Sequence, residues 1–320
     1  MRNAIKALVG TVPDESGNKK RIRIHQGWWR TFVLNEEEGE YYSQHTKKTE
    51  RVCNRINDGD RDPEKKNFLS KEIADEVQRA LRERKSGIME TDRLYNNLLS
   101  SQPLAFNFFG FFRTNPDVAL AFLRTLKPDI IGVDDIVFEY APDSSGDSSA
   151  IDFGFKVSTK NQKGFLGFEC KYTDTFSFQR SIPDEPNVYY GDDGDKNYKK
   201  YYQLFQDNRD RFPDEYYSYV RDKNFNQLFR NELLDVQLKS EFDFVVTGLF
   251  CHHDDIKSIG AGQEFRKKIG NRSNDFIVLP YSRYFEIMQK LDLPWQIREL
   301  VMMLWARYCG LDLSKNAADK

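Results

Sequence analysis

An α/β fold is predicted for this 320-residue chain by three observations. Apolar residues recur at three- and four-residue intervals across residues 70–81, 116–126 and 294–304. Three segments rich in strand formers follow one another at 136–140, 151–158 and 165–172, and helix-like and strand-like stretches then alternate towards the C-terminus. The hydrophobic content, 39%, suffices for a real core, and the length allows one large domain or two ordinary ones.

Residues 1–70 are polar, with Asn57-Asp58-Gly59-Asp60 as turn material, and read as an accessory N-terminal region in which residues 28–34 are expected to form a strand. The main domain is expected over residues 71–320. It opens with Ser70 as N-cap and Ile73, Val77, Ala80 and Leu81 on one helix face, followed by a helix over 91–99. Pro116 opens a third helix carrying Val118, Ala119, Phe122, Leu123 and Leu126 together, and Pro128 ends it. After the three strand segments comes an acidic, proline-punctuated loop over 182–195, then helices over 197–207 and 225–238. Strands are expected at 242–250 and 277–279, and a last helix at 294–304 whose positions Ile297, Leu300, Val301, Leu304 and Trp305 read as core.

The charge balance, 48 Lys+Arg against 50 Asp+Glu, provides no global basic field for a polyanion. Nucleic-acid binding would have to use local runs such as Lys19-Lys20-Arg21-Ile22-Arg23, residues 47–55, or Arg79, Arg82, Arg84 and Lys85, although a charge run is ordinarily a solvated face. The 25 Phe and 16 Tyr point to large packed side chains before base-stacking platforms. Four scattered cysteines without a paired spacing argue against a disulfide framework or a paired-cysteine zinc site, and reduced thiols in cytoplasm are expected. No apolar run approaches bilayer length, so neither export nor anchoring is expected. Cys251-His252-His253-Asp254-Asp255 holds two of the four histidines, but neighbouring strand residues point oppositely, so a metallohydrolase centred there is the minor enzyme alternative.

The chemistry concentrates in the hairpin. In a strand alternate side chains share a face, so Ile151, Phe153, Phe155 and Val157 fall together while Asp152, Gly154 and Lys156 face the other way. The next strand repeats this, with Leu166, Phe168 and Cys170 opposed to Gly167, Glu169 and Lys171. Asp152 then lies opposite either Glu169 or Lys171, and both registers gather two acids and a lysine on one side. Strands about 4.8 Å apart let both carboxylates reach one cation, with Gly154 and Gly167 expected to leave room above it. Hard oxygen ligands suit Mg2+ or Mn2+. Lys171 could orient a water, deprotonate it or stabilise transition-state charge. Alone, the spacing also fits outward-facing charges on an amphipathic hairpin in a chain that is 31% charged.

Asp152 followed by Glu169-Cys170-Lys171 resembles the signature of the PD-(D/E)XK nuclease superfamily, in which an acid on one core strand precedes acid-x-Lys on the next. Ile151 stands where the superfamily name has proline. Leu98-Leu99-Ser100-Ser101-Gln102-Pro103-Leu104 with Phe106-Asn107, and Gln227-Leu228-Phe229-Arg230-Asn231-Glu232-Leu233-Leu234, resemble a restriction-endonuclease-like branch. The resemblance implies a mixed central sheet flanked by helices and a divalent-metal-dependent (endo)nuclease, a hydrolase of phosphodiester bonds with DNA as the expected substrate. It implies Asp152, Glu169 and the carbonyl of Cys170 as metal ligands, Lys171 as the signature lysine, and a further acid from the first core helix, with Glu90 the candidate and Glu139 and Asp117 behind it. Gln227, Arg230 and Asn231 lie within a helical turn and would face the active site or a phosphate, with Gln203 a lesser candidate. A homodimer is compatible with this reading. The rival is a protein that keeps the fold but only binds nucleic acid or a partner.

Overall fold

The computed structural model describes residues 8–43, 46–83, 89–141, 150–173, 176, 196–270 and 275–317. In chain order the helices are α1 (Gly17–Phe32), α2 (Lys71–Arg82), α3 (Thr91–Asn96), α4 (Ser101–Phe109), α5 (Pro116–Leu126), α6 (Lys196–Asp207), α7 (Tyr216–Val220), α8 (Asn226–Gln237), α9 (Ile256–Lys268), α10 (Tyr281–Lys290) and α11 (Trp295–Tyr308). The strands are β1 (Glu40–Ser43), β2 (Lys48–Arg51), β3 (Gly132–Tyr140), β4 (Ile151–Ser158), β5 (Lys163–Lys171), β6 (Phe244–Cys251) and β7 (Phe276–Pro280). No helix among the described residues is long and apolar enough to cross a membrane.

The chain forms two compact units, one within Met1–Glu83, Met89–Val118 and Ser282–Lys320, the other within Ala119–Tyr281. In the first, α2 starts as its sequence dictates: the Ser70 side chain accepts from the Ile73 N–H, and Ile73, Val77 and Ala80 are buried. The run from Phe106 to Phe112 packs its aromatic rings inward, and Phe108 meets the rings of Tyr284 and Tyr308 at 5.0 and 5.2 Å. Asn107 has a structural task. Its side chain accepts from Leu69 N at 2.9 Å and donates to Asn67 O at 3.0 Å and Tyr308 Oη at 2.9 Å, tying the loop before α2 to α4 and α11.

Residues 28–34 are not a strand; Trp28 to Phe32 finish α1. The reason lies in polar core residues: His25, Gln26 and Arg30 are buried with Ile22 and Trp29, so the helical period is carried by groups an apolar count omits. Each has backbone to bind, Gln26 Nε2 donating to Arg307 O at 2.8 Å, Arg30 to Val9 O at 3.0 Å, and His25 Nε2 meeting Ala306 O at 2.9 Å. On α11, Ile297, Leu300, Val301 and Leu304 are buried as expected, but Trp305 is 47% exposed.

The second unit is built on a five-stranded mixed sheet in the order β3-β4-β5-β6-β7. β3, β4 and β5 pair antiparallel as consecutive strands, whereas β5–β6 and β6–β7 are parallel and need crossovers, which α6 to α8 and then α9 supply. The β4–β5 ladder pairs Phe153 with Phe168, and their rings stack at 5.1 Å with Phe250 edge-on to Phe153. Phe153, Phe155, Leu166 and Phe168 are all buried, as the alternation requires.

Candidate active site

The Phe153–Phe168 pairing places Asp152 opposite Glu169, which selects one of the two registers the sequence allowed. The backbone ladder ends there. One strand step further, the Asp152 side chain takes over, its Oδ2 accepting from the Cys170 N–H at 2.6 Å. Ile151 consequently leaves the Phe153 row and joins Phe165, Leu238 and Val245 in a separate cluster. The glycines do not leave open space either. A Cβ on Gly154 would stand 2.4 Å from Cζ of Phe165, and one on Gly167 would stand 2.8 Å from the same ring, so both glycines seat Phe165.

Glu169 and Lys171 are buried beneath α8, 6% and 5% exposed, and not on an open groove. Lys171 Nζ lies 2.8 Å from Glu169 Oε1 and donates to Gln227 Oε1 at 2.9 Å. Gln227 Nε2 donates to Glu169 Oε1 and Asn231 Nδ2 donates to Glu169 Oε2, each at 2.5 Å. Gln227 and Asn231 are one helical turn apart, so α8 presents two amides to one carboxylate and fixes its plane. Beyond them Phe176 sets its ring 5.4 Å from the ammonium. The far end of β5 is pinned where Tyr281 Oη donates to Lys171 O at 2.8 Å.

The electrostatics follow from this packing. Burial raises the Asp152 carboxyl well above the usual carboxylate range, Glu169 and Glu139 raise it further, and Lys171 and the Cys170 N–H work against them. Glu139 sits at the matching point of β3, between Phe138, which pairs with Phe153, and Tyr140, which pairs with Ile151. Its backbone is left-handed, with φ of 47°, a conformation costly for a side chain of this kind. The Cys170 thiol is buried and its pKa is pushed well up by desolvation, so only the carbonyl of this residue suits a hard cation.

The other sequence candidates lie as follows. Glu90 is exposed at the N-cap of α3 in the first unit and makes no side-chain capping bond. Arg230 is half-buried on α8. Gln203 is exposed on α6 and bonds Asp207 one turn on at 2.8 Å. His252 and His253 follow the end of β6, where strand alternation no longer applies, and their rings stack at 4.3 Å. The His252 Nδ1 accepts from Asp254 N at 3.1 Å, which closes the turn. Arg79, in one of the basic runs, is engaged by Glu76 and Glu83.

Residues 13–310 of the chain match the family model of the PD-(D/E)XK nuclease superfamily. The chain belongs to the PD-(D/E)XK nuclease superfamily. Members are generally nucleases that use divalent metals and act on nucleic acid. No curated protein and no solved structure is significantly similar to this chain. The match extends through both units.

The residues present fit a divalent cation. Two carboxylates stand at opposed positions of adjacent strands, both are pre-oriented by N–H donors, and a positive group, the Lys171 ammonium, already lies against Glu169. All the acidic donors are hard oxygens.

Proposed function

We propose that this PD-(D/E)XK protein is a metal-dependent nuclease that hydrolyses phosphodiester bonds in DNA, using Mg2+ or Mn2+ held by Asp152, Glu169 and the carbonyl of Cys170. The observation that carries this reading is the Glu169–Lys171 pair clasped by Gln227 and Asn231 with Asp152 opposite. When bound, the ion supplies Lewis acidity to the phosphoryl group and offsets its developing charge. The chain's own residues do the rest. Asp152 and Glu169 hold the ion; Gln227 and Asn231 keep the Glu169 oxygens in one plane; Lys171 places its ammonium beside the reacting phosphate to orient water and stabilise charge. A direct phosphate contact from Gln227, Arg230 or Asn231, and from Gln203 at the surface, belongs to the same reading, and the setting we infer is the cytoplasm.

For the further acid, the position of Glu139 beside Asp152 favours it over Glu90. Glu139→Gln is expected to weaken Mn2+ binding several-fold in calorimetric titration, whereas Glu90→Gln is expected to leave it unchanged; the reverse result would return the role to Glu90. The function itself is tested by incubating the chain with plasmid and single-stranded DNA in Mg2+, in Mn2+ and in chelator. Cleavage that needs the ion supports the nuclease. Binding without cleavage under every ion condition would instead make the chain a nucleic-acid-binding relative on the same fold.

A further inference from the structure

Helix α8 runs along β5 with three polar side chains in line: Gln227 and Asn231 reach Glu169, and Asp235, one turn further, lies over Gly167. Asp235 is 2% exposed, and its Oδ1 has no hydrogen-bond partner among the described residues. That oxygen is 3.2 Å from where a Cβ on Gly167 would stand, so any other residue at 167 would crowd it. Beside it lies a cavity of about 10 Å³ where Glu169, Asn231, Glu232, Asp235 and Thr247 share the lining with apolar residues such as Ile151 and Leu228. A buried carboxyl oxygen without a partner is strongly disfavoured, and a cavity of one probe sphere with polar groups in its wall is the size that holds one water.

We propose that this cavity binds a single ordered water molecule, held by Asp235 and linking it to the Asn231–Glu169 pair, so that Asp235 is a positioning residue for the metal-binding carboxylate. The lining meets the need for two to four polar partners, because carboxylate, amide and hydroxyl oxygens each retain lone pairs beyond the bonds they already make. Burial, then Glu232, raises the Asp235 carboxyl well above its ordinary range, while Arg211 works against them. Thr247 Oγ1 and Arg211 both bind Glu232, which holds the floor of the cavity in place. The water site stands on the cavity and the orphan oxygen; the positioning role rests also on the reading of Glu169 as a metal ligand.

A high-resolution crystal structure of the metal-free chain tests the site: a water within hydrogen-bond distance of Asp235 Oδ1 is expected, and a dry cavity overturns the proposal. The positioning role is tested by titrating folded variants with Mn2+ in a calorimeter. Asp235→Asn, which preserves shape and polarity, is expected to bind as the unmodified chain does. Asp235→Leu, which fills the cavity, is expected to bind about tenfold more weakly without a lower melting temperature, as when a group supporting a ligand is lost. Asp235→Ala serves the same readout if the leucine variant does not fold. Unchanged affinity in the apolar variants overturns the positioning role. If the unmodified chain binds no Mn2+, the metal reading falls and the positioning role with it, while the crystal structure still decides the water site.

Discussion

Glu169 and Asp152 face each other, yet substitution should affect them differently. Glu169 is bonded to Lys171, and both are buried, so Glu169→Gln leaves a buried ammonium with a weaker acceptor. Loss of a partner from such a pair costs about 3–5 kcal/mol, and a lower melting temperature is expected together with lost cleavage. Asp152 is held in a place that disfavours its charge, so Asp152→Asn should abolish cleavage and Mn2+ binding while leaving the melting temperature unchanged or higher. Thermal melts of the two variants side by side decide this, and equal destabilisation would mean that the burial argument is wrong. Lys171→Met should also stop turnover, but Mn2+ affinity should hold or rise, since the ammonium competes with the metal for Glu169. Calorimetry showing a marked loss of affinity would assign Lys171 to holding the ion's shell and not to the reaction.

At the scale of the element, the hairpin is shaped by its glycines as much as by its acids. Gly154 and Gly167 admit the Phe165 ring, which anchors the ladder immediately before Asp152 takes over from the backbone. Gly154→Ala should therefore destabilise the chain by about 1–3 kcal/mol through overpacking. Adding Phe165→Leu should recover part of that loss in chemical denaturation, since the smaller side chain vacates the contested volume; strict additivity of the two changes would deny the contact. Helix α8 adds the complementary constraint from above. Its apolar side, Leu228, Phe229, Leu233 and Leu234, is buried in the core of the unit, and that packing keeps Gln227 and Asn231 on Glu169.

At the scale of the molecule, the first unit carries an acid-sensitive contact of its own. His25 is fully buried, with Nδ1 2.8 Å from Ser314 Oγ, and burial lowers its pKa from 6.5 to about 4. The unfolded chain therefore binds the extra proton first as pH falls. Stability from this group is fully present above about pH 6.5 and is lost towards pH 4, by about 3 kcal/mol in all. All four tryptophans lie in this unit, so urea unfolding followed by their fluorescence at pH 7.5 and pH 5 reads the effect. His25→Asn should flatten the slope, and a slope unchanged in that variant would assign the acid sensitivity elsewhere.

What the sequence determined by itself was the local and periodic part. Period-two alternation set the aromatic face of Phe153, Phe155, Leu166 and Phe168, and a serine cap started α2, because each depends on neighbours within a few residues. What only the tertiary structure decided depends on partners distant in the chain. Residues 28–32 became helix because buried His25, Gln26 and Arg30 found backbone acceptors elsewhere in the unit. Ile151 changed sides because the Asp152 side chain replaced a ladder bond, and the space over the two glycines went to Phe165. Glu169 became a buried, clasped carboxylate because α8, more than fifty residues later, lays Gln227 and Asn231 across it. Side-chain period reports which face a residue occupies, whereas the chemistry of that face is set by whatever folds over it.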